Sequence, residues 1–310
     1  MQANNHYDVI ILGAGPAGMT AGIYAVRAGL RVLMLEKGAP GGQMVNTYEV
    51  ENYTGYEKIQ GPELSLKMFE HTQKMGVTYE YGDVQRVHVE GNEKVVTTDQ
   101  GTYHAPALIV ATGTKTRKLD VPGESELAGR GISWCAICDG AFYRGQAVAV
   151  VGGGNSALEE SLYLTGLVEK VYLIHRRQGF RADEVVIEQV KKNPKIELVL
   201  DTVVERFVEE EGKLAGLVLQ HLPTKETTLL RVPGAFLYVG QVPETQALQG
   251  LVELDDLGYV RAKEDCSTSI PGIYAAGDVR VKELRQIVTA TSDGAIAAQN
   301  AAKYLKTIVG

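Results

Sequence analysis

Apolar and polar positions along the chain fall into two separated copies of one pattern. Residues 7–12, Tyr-Asp-Val-Ile-Ile-Leu, end in a continuous apolar run, as a strand covered on both faces must. They lead into Gly13. Residues 16–28 carry apolar side chains at helical spacing and stop at Gly29, and residues 31–36 form a second strand. Strand, glycine turn, helix and strand recur at residues 147–151, 155–166 and 170–175. Two copies of one βαβ unit predict two domains of the same type.

The rest of the pattern says how the copies are connected. A strand at 107–111 runs into Thr112-Gly113-Thr114, then polar residues 115–118 and a turn at Pro122-Gly123. This is the first expected crossing between domains. A strand at 236–240 leads into the second, Gln241-Val242-Pro243-Glu244. Beyond it lie a strand and turn at 273–278 and a helix over about 287–304. The expected fold is α/β, with two Rossmann-like dinucleotide-binding domains, the second inserted into the first. Residues 1–116 and 243–310 form the outer domain and residues 117–242 the inserted one.

Composition narrows the function. A chain of 310 residues holds two domains of ordinary size. Hydrophobic content is 45% and charged content 22%, with no apolar run of membrane-spanning length and no basic-apolar export segment after Met1. A cytoplasmic protein is expected. The net charge of −7, without a basic stripe, argues against nucleic acid as a partner. Three cysteines are too few for a secreted disulfide framework.

The first turn reads Gly13-Ala14-Gly15-Pro16-Ala17-Gly18. Gly13 permits the tight turn, Gly15 lets backbone approach a pyrophosphate, and Gly18 lets helix and strand pack closely. The helix N-terminus offers free N–H groups to phosphate. Glu36 ends the next strand, where a carboxylate accepts hydrogen bonds from the hydroxyls of an unmodified ribose; FAD or NAD fits there. Gly41-Gly42-Gln43 is either a second close backbone approach to the same ligand or a plain loop. Asp278 after Gly277 is either a contact to sugar-alcohol hydroxyls or a turn or capping residue.

The second turn reads Gly152-Gly153-Gly154-Asn155-Ser156-Ala157. Its ribose position holds no carboxylate. His175-Arg176-Arg177 end the strand and Arg181 follows, which suits a 2′-phosphate and hence NADPH. Asn155 and Ser156 either cap the helix or touch phosphate; Glu159 is either a ribose contact or a surface charge.

Between the two copies lies Cys135-Ala136-Ile137-Cys138-Asp139-Gly140. A CxxC pair closes a small disulfide ring and accepts two electrons. Zinc would require further Cys or His ligands, and Cys266 is remote and alone. Asp139 beside the dithiol suits a proton donor and acceptor. Cys266 reads as a small apolar core residue.

Together these motifs resemble the low-molecular-weight thioredoxin reductases over nearly the whole chain; the CxxC-Asp-Gly before an NADPH fingerprint is the most specific element. The resemblance implies a homodimer with FAD in the outer domain, NADPH in the inserted one, and thioredoxin as protein substrate. It implies Cys138 as the thiol nearer the flavin, Cys135 as the thiol that attacks thioredoxin, and Asp139 as the acid/base. It implies FAD contacts at Gly13, Gly15, Pro16, Ala17, Glu36, Lys37, Gly42, Gln43, Asn52, Val84, Ala111, Thr112, Gly113, Gly277, Asp278, Arg285, Gln286 and Ile287. For NADPH it implies Gly152, Gly154, Asn155, Ser156, Glu159, His175, Arg176, Arg177 and Arg181. Ile137 stands where Thr is common and Ile287 where Ala is common; Ser292-Asp293-Gly294 reads as a turn in a variable final segment. With dithiol and flavin on different domains, the inserted domain is expected to rotate about crossings near 113–118 and 240–245. Relatives that reduce ferredoxin or flavodoxin lack the dithiol, ferredoxin-fed reductases lack the NADPH site, peroxidase-linked forms carry an N-terminal extension, and a nucleotide-binding sensor would not turn over.

Overall fold

The structure, a computed structural model, describes residues 5–47, 50 and 52–309; for Asn46, Ile137, Cys138 and Val309 it describes the backbone alone. The chain divides into two units, residues 1–115 with 242–310 and residues 116–241.

The outer unit is built on a five-stranded parallel sheet. Its order is Ile273–Ala275, Ala107–Val110, Val9–Leu12, Val32–Glu36, Thr78–Tyr81. Val9–Leu12 sits in the middle, its four side chains buried on both faces. One face packs under the helices Pro16–Arg27 and Ile287–Val309, the other under apolar residues such as Val96, Leu248 and Val260. The inserted unit repeats the plan: Ile196–Val199, Lys170–Ile174, Ala147–Gly152, Ala235–Tyr238, Ile132–Ser133, all parallel. In each sheet the strand leading into a glycine turn is central. A parallel sheet places its turns and helix N-termini at the carboxyl end, where ligands bind in this architecture.

Each unit also carries an antiparallel three-stranded sheet that the sequence pattern did not yield: Val84–Glu90, Glu93–Thr98 and Thr102–Ala105 in the outer unit, Thr202–Glu210, Lys213–His221 and Thr227–Leu230 in the inserted one. The crossings run as two short paired strands, Thr114–Thr116 and Gln241–Pro243.

The final helix is longer than expected, and Ser292-Asp293-Gly294 lies inside it rather than in a turn. Packing overrides the local turn signal. A Cβ on Gly294 would lie 2.2 Å from the carbonyl oxygen of Ala17, so glycine is what lets this helix touch the first fingerprint helix backbone to backbone. Among the described residues no helix is long and apolar enough to cross a membrane.

Candidate functional site

The first glycine turn has the geometry its spacing predicts. Gly13 lies at φ +102°, and a Cβ there would come within 2.4 Å of the carbonyl oxygen of Ala111. A Cβ on Gly18 would come within 1.9 Å of the carbonyl oxygen of Gly13, whereas one on Gly15 would meet nothing within 4 Å. The open space belongs to the glycine at the mouth of the helix. Gly15 caps Pro16–Arg27 without a side-chain hydrogen bond, so the first N–H groups of that helix remain available to an anion. Ala17 is buried in the first turn.

Glu36 accepts the N–H of Ala14 (2.9 Å) on one oxygen and that of Gly38 (2.8 Å) on the other. This fixes the carboxylate against the turn and leaves each oxygen a lone pair. Beside it opens a cavity of about 420 Å³ whose lining includes Gly13, Glu36, Lys37, Val84, Thr112 and Glu244. Glu244 was read only as part of a crossing. Here it pairs with Lys37 and, at 2.8 Å, with Lys115, while the Thr112 hydroxyl donates to its carbonyl oxygen (2.6 Å). Its signal in the sequence was slight: one acid at the chain's return to the outer unit.

Gly41 and Gly42 pack their backbone against the first glycine turn. Gly41 donates its N–H to the carbonyl oxygen of Ala14 (2.7 Å), and a Cβ on Gly42 would lie 3.5 Å from Cα of Gly15. Gln43 donates to the carbonyl oxygen of Thr114 (2.6 Å). Gly113, at φ +67°, follows Ala111 and Thr112 at the end of the neighbouring strand.

A further group surrounds the turn Gly277–Val279. Asp278 is half-buried there, its Oδ1 atom enclosed and lacking any partner among the described residues. Burial pushes its carboxyl pKa up, with Lys282 and Arg285 pulling the other way. Arg285 stacks on Tyr259 at 4.2 Å and donates from Nε to the carbonyl oxygen of Asp278 (3.4 Å). Asn52 donates to Gln286 (3.1 Å), and Ile287 opens the final helix. An orphaned carboxylate oxygen, an uncapped helix end behind a Cβ-free cradle, and an acid at the ribose position are the donor and acceptor set of a dinucleotide carrying extra hydroxyls. The residues fit FAD.

The inserted unit presents the second set. A Cβ on Gly152 would lie 2.5 Å from the carbonyl oxygen of Tyr238, and one on Gly153 would collide with the His175 ring at 2.2 Å. Gly154 caps Asn155–Thr165 without a side-chain bond. Asn155 does not cap its helix: its amide oxygen accepts from the N–H of Asp183 (2.8 Å) and its amide donates to the Asp183 carboxylate (3.2 Å), since the loop after Arg181 returns onto the turn. Arg181 donates its N–H to the carbonyl oxygen of Gly153 (2.7 Å). His175 stacks on Phe180, and burial lowers its pKa. Ser156, Glu159, Arg176, Arg177 and Arg181 are exposed, and the three guanidinium groups form no ion pair with any described residue. Free guanidinium groups beside a fingerprint turn fit a 2′-phosphate.

Cys135 is disulfide-bonded. It precedes the one-turn helix Ala136–Asp139; the Cys138 side chain lies outside the described residues. Cys135 N donates to Ser133 Oγ (3.1 Å), Asp139 N donates to the carbonyl oxygen of Cys135 (3.2 Å), and Ala136 N donates to the Tyr238 hydroxyl (2.7 Å). Tyr238 thus ties the dithiol helix to the central sheet. Cys266 is buried but not in purely apolar surroundings: Arg280 donates to its sulfur (3.3 Å), and burial pushes the thiol pKa up to about 11. Among the described residues, no group of three or more His, Cys, Asp or Glu side chains is gathered to hold a metal ion.

Two dinucleotide turns and a cysteine disulfide in one chain define a nucleotide-linked disulfide oxidoreductase, and the chain belongs to the pyridine nucleotide-disulphide oxidoreductase family, whose model matches residues 7–294. Among individual relatives, it is 50% identical to a thioredoxin reductase of Listeria monocytogenes over 97% of this chain and 95% of that one. It is 47% identical to a thioredoxin reductase of Bacillus subtilis, over 99% and 98%. The solved thioredoxin reductase of Lactococcus lactis superposes with a TM-score of 0.83 at 44% identity, covering 97% of this chain and 99% of that one.

Proposed function

We propose that the chain is an NADPH-dependent thioredoxin reductase, with FAD held by the outer unit and NADPH by the inserted one. The observation that carries this reading is the disulfide-bonded Cys135, in a Cys-x-x-Cys-Asp stretch, directly before a glycine turn flanked by three free arginines. When bound, FAD and NADPH supply a two-electron relay from a nicotinamide to a disulfide.

The chain's own residues bind and move protons. Gly13, Gly15 and the open helix end take a pyrophosphate, Glu36 takes ribose hydroxyls, and the free Oδ1 of Asp278 accepts from a side-chain hydroxyl. Gly152, Gly154 and Ser156 take the second pyrophosphate, while Arg176, Arg177 and Arg181 select the 2′-phosphate. In the reduced dithiol, Asp139 accepts the Cys135 proton and the Cys135 thiolate attacks one sulfur of the thioredoxin disulfide. That S–S bond breaks and the other thioredoxin sulfur leaves as a thiolate. Asp139 passes its proton to that thiolate and then accepts the proton of Cys138, which attacks Cys135, breaking the mixed disulfide, releasing the second thiolate and restoring the pair. Asp139 gives this second proton to the second leaving sulfur.

The inserted domain, residues 117–242, rotates on its two crossings between half-reactions. The protein acts in the cytoplasm as a homodimer. The test is NADPH oxidation coupled to thioredoxin: wild type turns over, while Cys135→Ser and Cys138→Ser each abolish thioredoxin reduction and keep flavin reduction by NADPH. Thioredoxin reduction surviving in either variant would refute the assignment.

A further inference from the structure

Asp293, which local sequence places in a turn, accepts from three protein donors. Ala276 N makes the last ladder bond of its strand, to the carbonyl oxygen of Val110 (2.9 Å). Gly277 then turns away at φ +79°, and its N–H donates to Asp293 Oδ2 (3.0 Å). Lys282 Nζ reaches the same oxygen at 2.7 Å, and Arg280 Nη1 reaches Oδ1 at 3.2 Å. Arg280 is itself held by the carbonyl oxygen of Lys263 (3.0 Å) and by the Cys266 sulfur (3.3 Å). One buried carboxylate therefore closes residues 277–282 at three points. Within that closed segment lies Asp278 with its partnerless oxygen.

Three protein donors share the two oxygens of Asp293, which is buried against the back of the turn. Its register is fixed from the other side, because Gly294 seats the same helix against the first fingerprint helix. On the reading that this unit holds FAD, we propose that Asp293 is a positioning residue for flavin binding. It holds the Gly277–Asp278 turn from behind, so that the free oxygen of Asp278 is fixed before the flavin arrives.

The test uses the full-length apoprotein, reconstituted with FAD and followed by quenching of flavin fluorescence. Asp293→Asn should weaken FAD binding by about 10- to 100-fold, with NADP⁺ affinity by calorimetry unchanged. In an Asp278→Asn background the same substitution should lose most of its effect, because both act on one turn. A general loss of packing would not show that dependence. Lys282→Met, which removes one cation and leaves the carboxylate paired with Arg280, should weaken FAD binding in the same direction and serves if Asp293→Asn does not fold. Wild-type FAD affinity in the variant that folds, or an undiminished Asp293 effect in the Asp278→Asn background, would overturn the inference alone. A wild-type chain that takes up no flavin would overturn the functional reading beneath it.

Discussion

A carboxylate oxygen enclosed by protein without a partner opposes folding when the group is ionised. Glu160 is such a group: Oε2 is buried with no partner, and burial, with a smaller push from Glu159, raises its pKa to about 7. The folded pKa lies above the unfolded value, so the associated stability is full below about pH 4.5 and is lost as pH rises through about 7. Glu160→Gln should flatten the pH dependence of thermal unfolding over that window and raise stability at pH 8 by about 1–3 kcal/mol. Melting scans at pH 5 and pH 8 check this. Asp139→Asn should slow thioredoxin reduction about 10²-fold or more while sparing flavin reduction by NADPH, read by stopped-flow absorbance. Replacing Arg176 and Arg177 together by Ala should raise the KM for NADPH about 10- to 100-fold and leave that for NADH nearly unchanged. The glycines were legible because a turn, a cradle and a close packing each impose a shape that one residue type meets. Glu160 and Asp293 were not legible, because their importance comes from burial, which tertiary packing decides.

Elements of the two parallel sheets could be read from sequence because a strand covered on both faces must be apolar at every position, as Val9–Leu12 and Ala147–Gly152 nearly are. The antiparallel sheets carry a weaker signal. Val84–Glu90 and Thr202–Glu210 are largely polar, and their registers slip at Val84/Arg86 and at Val204/Arg206, which breaks the alternation a half-buried strand would show. The last helix misled in the opposite way: Ser-Asp-Gly is turn chemistry, yet Gly294 is needed for contact between two helices. Gly294→Val should force those helices apart and cost about 1–3 kcal/mol, seen as a fall in melting temperature of several degrees in the apoprotein.

For the whole molecule, the insertion was legible because the second copy of the motif interrupts the elements that complete the first. The units are joined at residues 115–116 and 241–242, within the paired strands Thr114–Thr116 and Gln241–Pro243. Electrons proposed to enter beside one glycine turn and leave through Cys135 must be shared by both units. Anaerobic titration with NADPH should therefore take up about four electrons per chain, two for a flavin and two for the disulfide; uptake of two would mean the stations are uncoupled. The order of the chain also bears on biogenesis. Every strand of the inserted sheet has been translated once residue 238 is made, whereas Ile273–Ala275 and the helix over the first fingerprint come later in the chain. On the ribosome, the inner lobe can mature while the outer one still waits for its edge strand, so the outer unit's cradle is completed after the inserted sheet.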